Sequence, residues 1–134
     1  EPIATVYLQF GPKIKTRFPL TNLIGKHGQW VIDRGNGLLA CVLSGHGEWE
    51  NLDDQTLAAA LEDEQAMPET AGWHKVIREK RATFSCEPKL RRAGHKTSQA
   101  RIFMAGDHTW TEYPGTLEGA VRSGLRAARQ ITIG

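Results

Sequence analysis

Cysteine is scarce, and so are most of the features that mark a special class of protein. The two cysteines, Cys41 and Cys86, lie far apart and form no C-x-x-C pair. Neither a zinc site nor a disulfide scaffold is therefore indicated, and a reduced, cytoplasmic setting is expected. Long apolar runs are missing too. The longest, Leu38 to Leu43, has the length of a buried strand, against the roughly 20 residues a membrane helix needs. Contact with a membrane would be peripheral, at its inner face. Charge of one sign is missing: 17 Lys and Arg stand against 15 Asp and Glu, a formal net charge of +2, which gives no reason to expect a nucleic-acid partner. The basic residues do gather at Lys75 to Arg81, Lys89 to Lys96 and Arg122 to Arg129, and solvated faces are the preferred reading. There is no initiator Met and no signal-peptide core before the strand-like run that follows Glu1-Pro2, which is how an excised fragment would begin.

Catalytic and metal constellations are also lacking. The five histidines never fall at H-x-x-x-H spacing, so no metal is expected. Ser44-Gly45-His46-Gly47 is not a G-x-S-x-G elbow, and neither cysteine has an evident His partner, so nucleophilic catalysis has no support. The acidic groups Asp53-Asp54 and Glu62-Asp63-Glu64 read as a solvated helix face. No side chain stands out as a catalytic acid or base.

What is present is a mixture of short strands and helices. Thr5 to Phe10 alternates, with Val6, Leu8 and Phe10 on one face, as a half-buried strand requires. Gly11-Pro12 ends it, and the stretch through Asn22 reads as a loop. Gln29 to Asp33 and Leu38 to Ser44 flank Arg34-Gly35-Asn36-Gly37, where Asn-Gly supplies the positive φ angles of a hairpin. Asp53 offers an N-cap to a helix with Leu57, Ala60 and Leu61 at helical spacing, ending near Met67-Pro68. Val76 to Ser85 suits a long strand crossing from core to rim, and Glu87 to Gln99 a linker. The four tryptophans, Trp30, Trp49, Trp73 and Trp110, could line a channel for a long apolar ligand or simply pack in a core.

The informative stretch begins at Arg101. Ile102-Phe103-Met104-Ala105 suits a strand buried on both faces. Gly106-Asp107 follows, where Gly permits close backbone approach and Asp can accept hydrogen bonds from sugar hydroxyls, as a nucleotide-like ligand needs at a strand's carboxyl end. Pro114-Gly115-Thr116 makes a turn and a cap. Leu117, Ala120, Val121, Gly124, Leu125, Ala128 and Ile131 then recur as one face of an amphipathic helix, with Arg122, Arg126, Arg129 and Gln130 opposite. The N–H groups and dipole end at Thr116 to Glu118 can stabilise negative charge. A Gly inside a helix costs about 1 kcal/mol relative to Ala, so Gly119 and Gly124, with Ala120 and Ser123, imply a smooth surface against which something presses.

Ile102-Phe-Met-Ala-Gly-Asp107 followed by Tyr113-Pro-Gly-Thr-Leu-Glu-Gly-Ala-Val-Arg-Ser-Gly124 resembles the C-terminal FAD-binding signature of the amine-oxidase and phytoene-desaturase superfamily. Val6-Tyr7-Leu8, Gly28 to Gly35 and Glu79 to Cys86 resemble its squalene-associated, FAD-dependent branch from hopanoid biosynthesis. The resemblance covers most of this chain but only the last third of such a protein. It implies FAD as cofactor, with Gly106, Asp107, Pro114, Gly115, Thr116, Leu117, Gly119 and Ala120 around it. Asp107 would hold the ribityl chain or a neighbouring phosphate, the N–H groups of Gly106 and Asp107 would lie near the pyrophosphate, and Thr116 and Leu117 would face the pyrimidine edge. The family's G-x-G-x-x-G unit is absent from this sequence, so the chain alone is expected to bind FAD weakly or not at all.

The expected fold is α+β: an antiparallel sheet with a helix on one face, forming part of a substrate-binding domain over residues 1–100. A strand and helix of a Rossmann-like FAD domain would follow over 101–134. The implied activity is reduction of hydroxysqualene to squalene. A carotenoid desaturase, an amine oxidase and a non-catalytic lipid- or partner-binding module are the alternatives. Expected partners are the remainder of a longer chain, an isoprenoid lipid and, for the isolated piece, a second copy of itself.

Overall fold

In the computed structural model, which describes residues 1–25 and 27–133, the chain divides into two compact units, Glu1–Ala82 and Thr83–Gly134. The polar segment from Thr83 to Gln99 falls in the same compact unit as the C-terminal helix.

Five strands build the first unit: β1 (Ile3–Gln9), β2 (Leu20–Asn22), β3 (Trp30–Asp33), β4 (Leu38–Ser44) and β5 (Trp73–Glu79). They form one antiparallel sheet in the order β2-β3-β4-β1-β5. The β3–β4 hairpin turns where Asn-Gly predicts it, with positive φ at Gly35, Asn36 and Gly37. Three expectations need correction. β2 lies in the stretch read as a loop; three residues are too few for a period to show beside Pro19. β5 begins at Trp73 and stops at Glu79, because its partner strand β1 begins at Ile3, opposite Glu79, and the pairing ends there. The Arg78 guanidinium donates to the carbonyls of Trp49 and Leu52 and to Asp54, which satisfies it at the sheet's edge. The third concerns Ile102 to Ala105, which is not a strand. Only an isolated bridge joins Phe103 to Lys96, and Ile102 is exposed. An apolar run becomes a doubly buried strand only between neighbours that pair with it, and no strand of the described residues flanks this one.

Helix α1 (Asp54–Gln65) covers one sheet face. Asp53 caps it, accepting the Thr56 N–H at 2.7 Å. Leu57, Ala58 and Leu61 of α1 meet Val6, Leu8, Val31, Leu39, Cys41 and Leu43 of the sheet in a fully buried core. Ala58 rather than Ala60 completes the buried stripe. The acidic side is more than a solvated face: Glu64 accepts the N–H groups of His27 and Gly28, both at 2.9 Å, and Glu62 that of Ala71. Two carboxylates of α1 thus hold the loops that flank it.

The other face of the sheet carries no helix of its unit. Pairing sets Leu20 opposite Ile32, Trp30 opposite Val42, Ala40 opposite Tyr7 and Thr5 opposite Ile77. Because side chains alternate along a strand, all of these share the face away from α1. Trp30, Leu20, Ile77 and Trp73 are exposed on it. Within this unit α1 covers one side of the sheet, and the other side mixes these apolar residues with Thr5, Gln9 and Lys75.

Candidate functional site

Within the second unit, α2 (Leu117–Ile133) and a short 3-10 turn at Asp107–Thr109 are the regular elements, and they meet through a polar knot. The Gly106 N–H donates to Ser123 Oγ at 3.1 Å. The Gly106 carbonyl accepts from both the Thr109 N–H and the Thr109 hydroxyl. The hydroxyls of Thr109 and Ser123 bond each other, and both residues are buried. Buried hydroxyls without partners would be costly; here each satisfies the other and together they fix the Gly-Asp turn on the flank of α2. Ser123 was read in the sequence only as a small residue on a smooth face. A serine amid glycine and alanine at four-residue spacing was the signal that could have marked this joint.

Gly106 itself adopts φ 153°, a region few side chains tolerate. Asp107 projects beside it, partly exposed, with the His108 Nδ1 3.7 Å from Asp107 Oδ1. At the head of α2, Thr116 Oγ1 accepts the Gly119 N–H at 3.0 Å and donates to the Tyr113 carbonyl at 2.8 Å. This is the cap that Pro114-Gly115-Thr116 predicts, and Gly115 supplies its positive φ. Gly119 has no room for a side chain: a Cβ there would lie 2.1 Å from the Tyr113 carbonyl oxygen. Nothing in the structure crowds Gly124. One of the two helix glycines is thus explained by close approach, and it is the Tyr113 backbone that approaches.

The buried face of α2 corrects the sequence reading. Gly119, Ser123 and Ala127 face inward, while Leu117, Val121, Leu125 and Ile131 are exposed. Small residues at i, i+4 and i+8 let the polypeptide before the helix approach closely, so the larger apolar stripe beside them stays open. Next to that stripe, Trp110, Val121, Arg122, Leu125 and Arg126 line an open groove of about 580 Å³. The Arg126 guanidinium lies 4.1 Å over the Trp110 ring, and Arg122 pairs with Glu118 at 2.6 Å.

The knot and the helix head are separate parts of one surface. Ser123 lies seven residues beyond Thr116, about 10 Å along the helix axis at 1.5 Å per residue. Gly106 and Asp107 therefore gather at mid-helix, and Pro114, Gly115, Thr116, Leu117, Gly119 and Ala120 at its N-terminal end. Leu117 is almost wholly exposed. The first N–H groups of any α-helix lack intrahelical partners and carry positive potential, so this end can receive an anionic or carbonyl-rich ligand edge. The Gly106 N–H is committed to Ser123; what remains there for a ligand is the Asp107 carboxylate and a backbone without a Cβ. Among the described residues, no cluster of three or more His, Cys, Asp or Glu could hold a metal ion, and no helix is long and apolar enough to cross a membrane.

The second unit thus joins a Gly-Asp turn to the flank of a glycine-bearing, Thr-capped helix. Residues 2–132 match the family model described as flavin containing amine oxidoreductase, and the chain belongs to that family of oxidoreductases. Among individual relatives, it is 36% identical over 118 residues to the hydroxysqualene dehydroxylase of Rhodopseudomonas palustris, covering 81% of this chain and 27% of that protein. The Zymomonas mobilis hydroxysqualene dehydroxylase is 40% identical over 82 residues, 60% of this chain and 18% of that one. That of Sinorhizobium fredii is 46% identical over 56 residues, 40% of this chain and 13% of that one. The chain thus spans about a quarter of the length of the R. palustris protein.

Proposed function

We propose that this chain is part of an FAD-dependent enzyme that reduces hydroxysqualene to squalene, with Thr83–Gly134 contributing to the cofactor site and Glu1–Ala82 to the substrate site. The observation that carries the reading is the second, uncovered face of the sheet. Leu20, Trp30, Ile32, Val42, Tyr7 and Ile77 give this face its apolar share, with Thr5, Gln9 and the Lys75 cation set among them, which suits a long hydrocarbon better than a cationic amine. The similarity to three hydroxysqualene dehydroxylases supports the same substrate.

The residues of the second unit fit a flavin dinucleotide. Asp107 is placed to accept hydrogen bonds from ribityl or ribose hydroxyls, the bare Gly106 backbone permits close approach, and the capped head of α2 presents N–H groups and positive potential to the pyrimidine edge. Bound FAD in its two-electron reduced form would supply a hydride to the carbon as the C–O bond breaks, and a proton that lets the hydroxyl leave as water, becoming oxidised FAD. The chain's own part is to bind and orient: the Thr109–Ser123 knot holds the Gly106-Asp107 turn on α2, and the apolar residues of the sheet offer a surface to a hydrocarbon.

The test is an anaerobic assay of the protein expressed from its complete coding sequence, with FAD, dithionite and hydroxysqualene, reading squalene by gas chromatography. Squalene formation is expected. Turnover of phytoene or an amine without squalene formation would replace this substrate by one of those classes. No flavin retention at all would remove the cofactor reading.

A further inference from the structure

The free edge of the sheet is both basic and apolar. β2 is the terminal strand, and Phe18, Leu20, Ile24 and Trp30 on or beside it are exposed, Ile24 completely. At one end of this edge Lys15, Arg17 and Arg34 gather around a shallow groove of about 530 Å³ that also includes Pro19 and Asp33. Arg17 lies over the Phe18 ring at 5.3 Å. Asp33, the acid among them, accepts N–H groups of Gly35 at 2.8 Å and Thr16 at 3.0 Å and attracts Lys15, so three cations stand against one carboxylate around the groove. Glu64 and Glu69, the acids that reach the neighbouring loops, are likewise bonded to backbone N–H groups of His27, Gly28 and Gly11.

We infer that this edge is a docking surface for an anionic lipid bilayer. Cations alone would suit any polyanion. Exposed Phe, Trp, Leu and Ile interleaved with Lys and Arg fit an interface where basic side chains meet headgroups and aromatic rings sit at the acyl boundary. Leu20 and Trp30 also open the uncovered apolar face, so a bilayer at this edge would deliver a hydrocarbon directly to it. That consequence rests on the proposed function; the docking itself does not. The basic residues of α2 are weaker candidates, because Arg122 is paired with Glu118 and Arg126 is stacked on Trp110.

Sedimentation of the 134-residue chain with vesicles tests this, comparing phosphatidylcholine alone with phosphatidylcholine carrying phosphatidylglycerol. Each basic residue near an anionic surface is worth about fivefold in partitioning. Lys15→Glu with Arg17→Glu should therefore weaken binding to the anionic vesicles by at least about tenfold, and high salt should abolish it. Phe18→Ser with Ile24→Ser should weaken it at unchanged charge, whereas Arg122→Glu should leave it intact. All these positions are exposed, and circular dichroism verifies the fold of each variant. Equal binding to neutral vesicles, no binding to either, or loss of binding through Arg122→Glu but not through the Lys15 and Arg17 reversals would overturn the inference. A failed squalene assay would leave vesicle binding unaffected, so the two ideas fail separately.

Discussion

Gly119 and Gly124 have the same residue type, five positions apart on one helix, and opposite expected responses to alanine. At Gly119 the new methyl would meet the Tyr113 backbone oxygen, so the helix head must shift, and Gly119→Ala should destabilise the protein by about 1–3 kcal/mol. At Gly124 nothing within reach opposes a methyl, and Gly124→Ala should stabilise it by about 1 kcal/mol through helix propensity. Urea melts of the two variants check both signs; stabilisation by both would mean that Tyr113 does not close over the helix. The cysteines separate in the same way. Cys41 is fully buried, and desolvation, aided by the nearby Glu64 charge, pushes its thiol up to about 12. Cys86 is exposed. One thiol should react with Ellman's reagent in the native protein and two in denaturant.

At the scale of elements, α1 depends on its cap and on its buried leucines. The Thr56 N–H holds the Asp53 carboxyl below the usual carboxylate value, and the Gly35 and Thr16 N–H groups do the same to Asp33. A carboxyl whose pKa is lower folded than unfolded contributes stability that is present above the unfolded value and is lost as pH falls through the folded one. Thermal melts should therefore decline below the ordinary carboxylate range, and Asp53→Asn, which keeps a capping oxygen without titrating, should flatten that decline. Leu61→Ala, removing a fully buried side chain, should cost about 2–5 kcal/mol. Elements whose cause is local were legible in the sequence: the Asn-Gly hairpin, the Asp53 cap and the Thr116 cap each follow from a residue and its neighbours. Those decided by distant partners were not. Ile102 to Ala105 has a strand's composition without strands beside it, and α2 has a strong apolar stripe yet buries its small residues, because the Thr109–Ser123 bond and the Tyr113 carbonyl outweigh what composition alone suggests. Within the candidate site, the Thr116 cap follows from local sequence, whereas the bond from Gly106 to Ser123 joins residues seventeen apart and shows in the sequence only as a serine among small residues at four-residue spacing.

For the molecule as a whole, the apolar wall of the sheet has a consequence for solution behaviour. Leu20 and Trp30 at one edge of this face and Trp73 and Ile77 at the other are exposed apolar side chains, the kind of surface that favours association. A second copy would cover such a face by a two-fold contact. The 134-residue chain should then scatter light with a mass that rises with concentration above its 14.9 kDa. Trp30→Gln with Ile77→Lys should return it towards the monomer without loss of secondary structure, since both side chains point away from the core that α1 covers. Squalene, which lacks the hydroxyl and cannot be turned over, should compete for the same wall and lower the apparent mass of the unmodified chain, whereas a charged amine such as benzylamine should not. A clean monomer at every concentration would mean that the wall is too small or too broken to bind a hydrocarbon or another copy, and the substrate assignment would then lose its structural support.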